Sequence, residues 1–146
     1  MRPFAFLLCL LTFTAVSCTA PKPDTDNDAE TILGTWDLVK VENDGKPPPD
    51  NSKAEGMKVE ITKDQLIKLD KTTGRASKDV ASYKLDTKSK PRSIDISEGQ
   101  MTVKGIYKLE NGELTMFWGE PGKERPAKFD DKSGLLMVLR KSKATK

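Results

Sequence analysis

Histidine is absent from this 146-residue chain, and cysteine occurs only twice, at positions 9 and 18. Without histidine there is no Ser-His-Asp or Cys-His catalytic group. A zinc or haem centre would lack its commonest protein ligand. No apolar run approaches the ~20 residues that a spanning helix needs. No glycine-rich loop follows a strand and opens a helix to cradle phosphate. Helical apolar stripes are missing too, apart from a candidate turn at residues 52–55. The 25 basic and 22 acidic side chains are interleaved, for a net charge of +3, so there is no basic stripe for a nucleic acid. The sequence therefore predicts no catalytic residues, no metal and no cofactor.

What is present starts at the amino terminus. Arg2 adds one positive charge, and residues 4–16 carry none. A short apolar core behind a positive start is the build of a secretory signal peptide, assigned here to residues 1–17. It ends in Ala15-Val16-Ser17-Cys18, which resembles the bacterial lipoprotein box, whose cysteine receives a diacylglycerol on sulfur. Ala15 stands where leucine is commoner, so ordinary cleavage after Ser17 and soluble secretion stay open as the alternative. Cys9 falls in the removed segment. The mature chain then holds Cys18 alone, excluding an internal disulfide and leaving lipid attachment as the role for that thiol. Stable anchoring takes two or more acyl chains. The expected location is the cell envelope, membrane-anchored through Cys18.

Residues 18–31 are polar and proline-interrupted and read as a tether. Asp24, Asp26 and Asp28 imitate the start of a calcium loop. Ala29 replaces its turn glycine, however, and Thr35 its closing glutamate, so a solvated linker is expected. A single domain is assigned to residues 32–141, and residues 142–146 form a basic tail able to brush anionic lipid.

Within that domain apolar residues recur with period two, the signature of half-buried strands. Met57, Val59 and Ile61 alternate with polar neighbours, as do Met101, Val103 and Tyr107. Leu114, Met116 and Trp118 form a third set, and Leu135, Met137 and Leu139 a fourth. Shorter runs lie at 33–41, 65–69, 80–85 and 93–96. Turn sequences separate them, among them Asn43-Asp44-Gly45 and Lys132-Ser133-Gly134. Asn111-Gly112 is a two-residue hairpin turn needing positive φ at both positions. About eight short strands joined by hairpins predict an all-β, up-and-down antiparallel barrel, which leaves no open edge.

Gly34-Thr35-Trp36 on the first strand resembles the opening of the lipocalin-like barrels. That resemblance implies that Trp36 plugs a closed end, beside Gly34, with Arg140 of the last strand lying over the indole. A closer likeness covers nearly the whole mature domain. Its motifs are Leu33-Gly34-Thr35-Trp36, Asp44-Gly45-Lys46, Lys90-Pro91-Arg92-Ser93-Ile94-Asp95-Ile96, Gly105-Ile106-Tyr107, Pro121-Gly122-Lys123-Glu124-Arg125-Pro126, and the closing Leu139-Arg140. In these the chain is similar to a lipocalin-like secreted domain family abundant in planctomycete bacteria, which has no settled activity. Around Phe117-Trp118 it departs from family members that carry a cysteine nearby.

Apart from Met1, the methionines are Met57, Met101, Met116 and Met137. All share strand parity with core residues and, with Trp118, are the candidate lining of an apolar ligand cavity. Methionine is pliable and also fills irregular gaps, and for a barrel of eight short strands a filled core is the commoner arrangement. A filled barrel would leave surface protein–protein interaction as the function, with an envelope protein for example, or an inhibitor role. An exposed patch around Phe117 and the Pro47-Pro48-Pro49 stretch would then be the contact. Arg92 and Arg125 would pair with neighbouring acids or hold an anion. The carboxylates Asp95, Glu98, Glu110 and Glu113 alternate with apolar residues and are expected to face water.

Overall fold

A computed structural model describes residues 27–49, 56–129 and 133–143 of the chain. After a single helical turn, α1 (Asp28–Thr31), eight strands follow: β1 (Gly34–Asn43), β2 (Lys58–Ile61), β3 (Gln65–Leu69), β4 (Ala76–Asp86), β5 (Ser93–Glu98), β6 (Met101–Glu110), β7 (Glu113–Trp118) and β8 (Leu135–Lys141). Each strand pairs antiparallel with the next, and β8 closes on β1. This is the up-and-down antiparallel barrel that the alternation predicts, and it is consistent with the lipocalin-like barrel that the Gly34-Thr35-Trp36 resemblance implies.

Turn chemistry sets the register. Asn111 and Gly112 take φ of 53° and 76°, and Asp44 and Gly45 take 54° and 71°. Asn111-Gly112 is the doubly positive turn that matches the twist of β6 and β7, which it joins, whereas Asp44-Gly45 closes an isolated Asn43–Lys46 bridge just beyond β1. One irregularity falls in β1, where the pairing with β8 shifts between Leu38 and Lys40. Val39, the extra residue, is turned outward and is half exposed.

Alternation sorts the side chains into two apolar clusters. Inside the barrel lie Trp36, Val59, Ile61, Leu66, Tyr83, Ile94, Tyr107, Leu114, Met116, Trp118 and Leu139. Outside it, Ile106 and Phe117 are equally buried, at 0% and 2% exposure. Described residues of the segment between β7 and β8 pack on this outer face. Pro126 is buried there, and Arg125 clamps the wall through Asp95 Oδ1 at 2.5 Å and the Gly105 carbonyl at 2.6 Å. The apolar patch expected around Phe117 is therefore absent. Parity does point Phe117 away from the barrel axis, but a connecting segment lies over it.

The fold also starts earlier than the assigned domain boundary at Ile32. α1 belongs to it, because Asp28 is only 4% exposed. The tether, as far as it is described, is not a solvated linker at Asp28. Cys18, the signal segment and the candidate turn at 52–55 lie outside the described residues.

Candidate functional site

The two ends of the barrel differ. At one end α1 folds across the opening, and Ile32 drops inward at 1% exposure. Trp36 stands beneath it and donates from Nε1 to the Ile32 carbonyl at 2.7 Å. The cation on its indole is Lys141, with Nζ 4.6 Å from the ring centroid. The same ammonium donates to the Thr31 carbonyl at 3.0 Å and to that of Leu33. Burial pushes the Lys141 ammonium below its ordinary pKa. Arg140, assigned to this role from the sequence, lies on the outer face and pairs with Glu113 at 2.6 Å. The register explains the exchange: Trp36 sits opposite Lys141, and Asp37 opposite Arg140. Gly34 has φ of 111°, a conformation that suits only glycine, where the chain turns into β1 beside Lys141.

A buried polar knot ties α1 to the wall. Asp28 accepts a hydrogen bond from the Tyr107 hydroxyl at 2.9 Å and is ion-paired with Arg92. Arg92 therefore serves a carboxylate, as Arg125 does at Asp95. Burial, and then the Asp28 carboxylate it donates to, hold the Tyr107 hydroxyl well above the usual tyrosine range. The folded protein thus keeps a proton that an unfolded tyrosine releases at a pKa of about 10. The resulting stabilisation is complete below that pH and is lost as the pH rises above it. Urea midpoints compared at about pH 9 and pH 11 should fall for the wild type and fall less for Tyr107→Phe. Tyr83, also raised by burial, accounts for a residual drop. Equal falls in both proteins would remove Tyr107 as the source.

Among the described residues the other end is open. From its mouth a cavity of about 610 Å³ reaches into the barrel, walled by Val59, Leu66, Ile96, Val103, Met116, Trp118, Leu135 and Met137. Asn43, Asp44, Glu120 and Pro121 stand at its mouth with Gly119 and Gly134. The closed half of the barrel is packed with the larger rings, Trp36 and Tyr107. The open half is walled mainly by aliphatic side chains that stop short of the axis.

Of the five candidate lining residues, Met116, Met137 and Trp118 line the cavity. Met101 keeps the inward parity but sits at the first residue of β6, on the rim, and is 57% exposed. Met57 precedes β2 and lies outside the lining; its carbonyl accepts from the Leu38 amide at 2.9 Å. Sequence reasoning missed the aliphatic wall, although Val59, Leu66, Ile96 and Val103 carry the same alternation as the methionines.

Two glycines shape this end. A Cβ on Gly105 would meet Trp118 Cδ1 at 2.4 Å, so the indole lies against the wall only because β6 has no side chain there. Trp118 Nε1 is buried and has no hydrogen-bond partner among the described residues. Gly134 takes φ of 144°, and a Cβ there would meet the Trp118 carbonyl at 2.3 Å. Gly134 and Asp44 clip the mouth together: the Asp44 amide donates to the Gly134 carbonyl at 2.8 Å, and the Gly134 amide to Asp44 Oδ1 at 2.9 Å.

Elsewhere the acids are paired singly, Asp95 with Arg125, Glu110 with Lys108 and Glu113 with Arg140. Among the described residues no group of three His, Cys, Asp or Glu side chains is placed to hold a metal ion. No helix among them is long and apolar enough to cross a membrane. No family model matches the chain, and no curated protein matches it.

Proposed function

We propose that this protein is a non-catalytic binding domain of the bacterial cell envelope, lipid-anchored at Cys18, that takes a small apolar ligand into the open half of its barrel. The cavity carries this reading. Its volume of about 610 Å³ falls within the ~300–1,000 Å³ of small-molecule sites, and its wall is almost wholly apolar with a few polar groups at the mouth. The anchor is supported by the signal segment and by Cys18 as the only cysteine after it. The alternative, a surface module built on a filled core, is supported less well: Phe117 is covered, and only the flanking prolines of the Pro47-Pro48-Pro49 stretch are exposed.

The neutral fluorescent probe N-phenyl-1-naphthylamine tests the cavity. Wild-type protein should bind it with about one-to-one stoichiometry. Val103→Trp, which places an indole in the cavity, should weaken binding about tenfold or more, given how costly overpacking a defined volume is. Its circular-dichroism spectrum should stay that of the wild type. A wild type that leaves the probe dark, or a filled variant that binds as before, would refute the reading. Mass spectrometry of membrane-extracted protein tests the anchor, which requires diacylglyceryl on Cys18 and its loss in Cys18→Ser.

A further inference from the structure

The described residues that line the cavity carry charge of one sign. Among the described lining residues the only ionisable side chains are Asp44 and Glu120, both carboxylates. Glu98 is not among the lining residues but stands at the same end of the barrel, opposite the rim residue Met101. It ends β5 two residues beyond the cavity-lining Ile96, on the same inward alternation, and is exposed. Across the rim, the register sets Lys68 opposite Val59, and its ammonium is 3.6 Å from Asp79, so that pair is neutral as a unit. Asp44 spends one oxygen on the Gly134 amide. Asp44, Glu98 and Glu120 make no ion pair with a described residue. Just inside them lies Trp118, whose ring lines the same cavity.

An apolar chamber with an acidic mouth discriminates among amphiphiles by their head groups. A carboxylate or sulfate head would be held beside like charges, an arrangement that rejects partners more strongly than it selects them. An ammonium head meets opposite charge there, and an indole face attracts a cation further, most of all a quaternary one. Resting on the cavity reading above, we infer that the ligand is an amphiphile with a cationic head, an amine or quaternary ammonium, whose apolar body enters the barrel first. The acids hold the head at the water boundary, where it remains hydrated, so no charge is buried without a partner.

Displacement of bound N-phenyl-1-naphthylamine tests this with two molecules of equal chain length, decyltrimethylammonium and decanoate, both kept below micelle formation. Decyltrimethylammonium should displace the probe at a concentration about tenfold lower, the size expected from several weak rim interactions acting together. In Glu98→Gln/Glu120→Gln, with each displacer referenced to that variant's own probe affinity, the gap should shrink to about threefold or less. High salt should narrow it in the wild type, because the charges involved are exposed. Equal displacement by the two molecules, or stronger displacement by decanoate, overturns the inference while leaving the cavity reading intact. A tenfold preference that survives the double substitution undiminished overturns it as well. Absence of probe binding overturns the cavity reading and this inference together.

Discussion

Trp36→Ala is expected to lower stability by about 3–5 kcal/mol, the largest loss from any single truncation in the barrel. Three contributions combine there. The indole is 1% exposed, so its removal opens a void that its neighbours would have to close. Its Nε1–H satisfies the Ile32 carbonyl where the chain enters the barrel. Its face carries the Lys141 ammonium, which also donates to two carbonyls at the end of α1. For a domain near 100 residues each kcal/mol moves the melting temperature by about 4–8 °C, so calorimetry should record a fall of well over 10 °C. Trp36→Phe keeps most of the packing, loses the hydrogen bond, and should fall between. Arg140→Met is the contrast. Its pair with Glu113 is exposed on both sides, and such pairs contribute about 0–1 kcal/mol. A larger loss from Arg140→Met than from Lys141→Met would show that the wrong cation has been placed on the indole.

Arg92→Met should cost about 3 kcal/mol or more, because it leaves the Asp28 carboxylate buried beside Tyr107 without its cation. The side chains of Arg92 and Asp28 are 15% and 5% exposed, so water does not replace the missing partner. A double substitution separates the cost of an orphaned charge from the net worth of the pair. Asp28→Leu/Arg92→Met removes both charges and should recover much of the stability lost by Arg92→Met alone. Chemical-denaturation midpoints for the four proteins of this cycle give the coupling directly. Additive losses would mean that the two groups do not act as a pair.

The strands were legible because a barrel wall is buried on one side. Period two therefore survives in most of the wall, broken in β1 at Val39, and the expected limits at 65–69 match β3 to the residue. The Lys141 assignment was legible too. The alternation that sends Leu139 inward sends Lys141 inward and Arg140 outward, so the register needed only to be followed one step further. The cavity was not legible, since a filled interior and a hollow one produce the same alternation. The difference lies in how far each side chain reaches toward the axis, which no spacing encodes. Asp28 was hidden for another reason. Its partners, Arg92 and Tyr107, are 64 and 79 residues away, and nothing local distinguishes a buried aspartate from a solvated one. The cover over Phe117 comes from a long connection without periodicity of its own, and its docking depends on Arg125 finding Asp95 on the neighbouring wall.

The plug at the closed end also gives the barrel a handle. Asn27, where the described chain begins, and Lys143, where it finishes, both lie at the plugged pole, one before α1 and the other just after β8. The residues upstream of Asn27 therefore join the barrel at its base, and the cavity mouth lies at the opposite pole, so a ligand would not have to pass the point of attachment to enter.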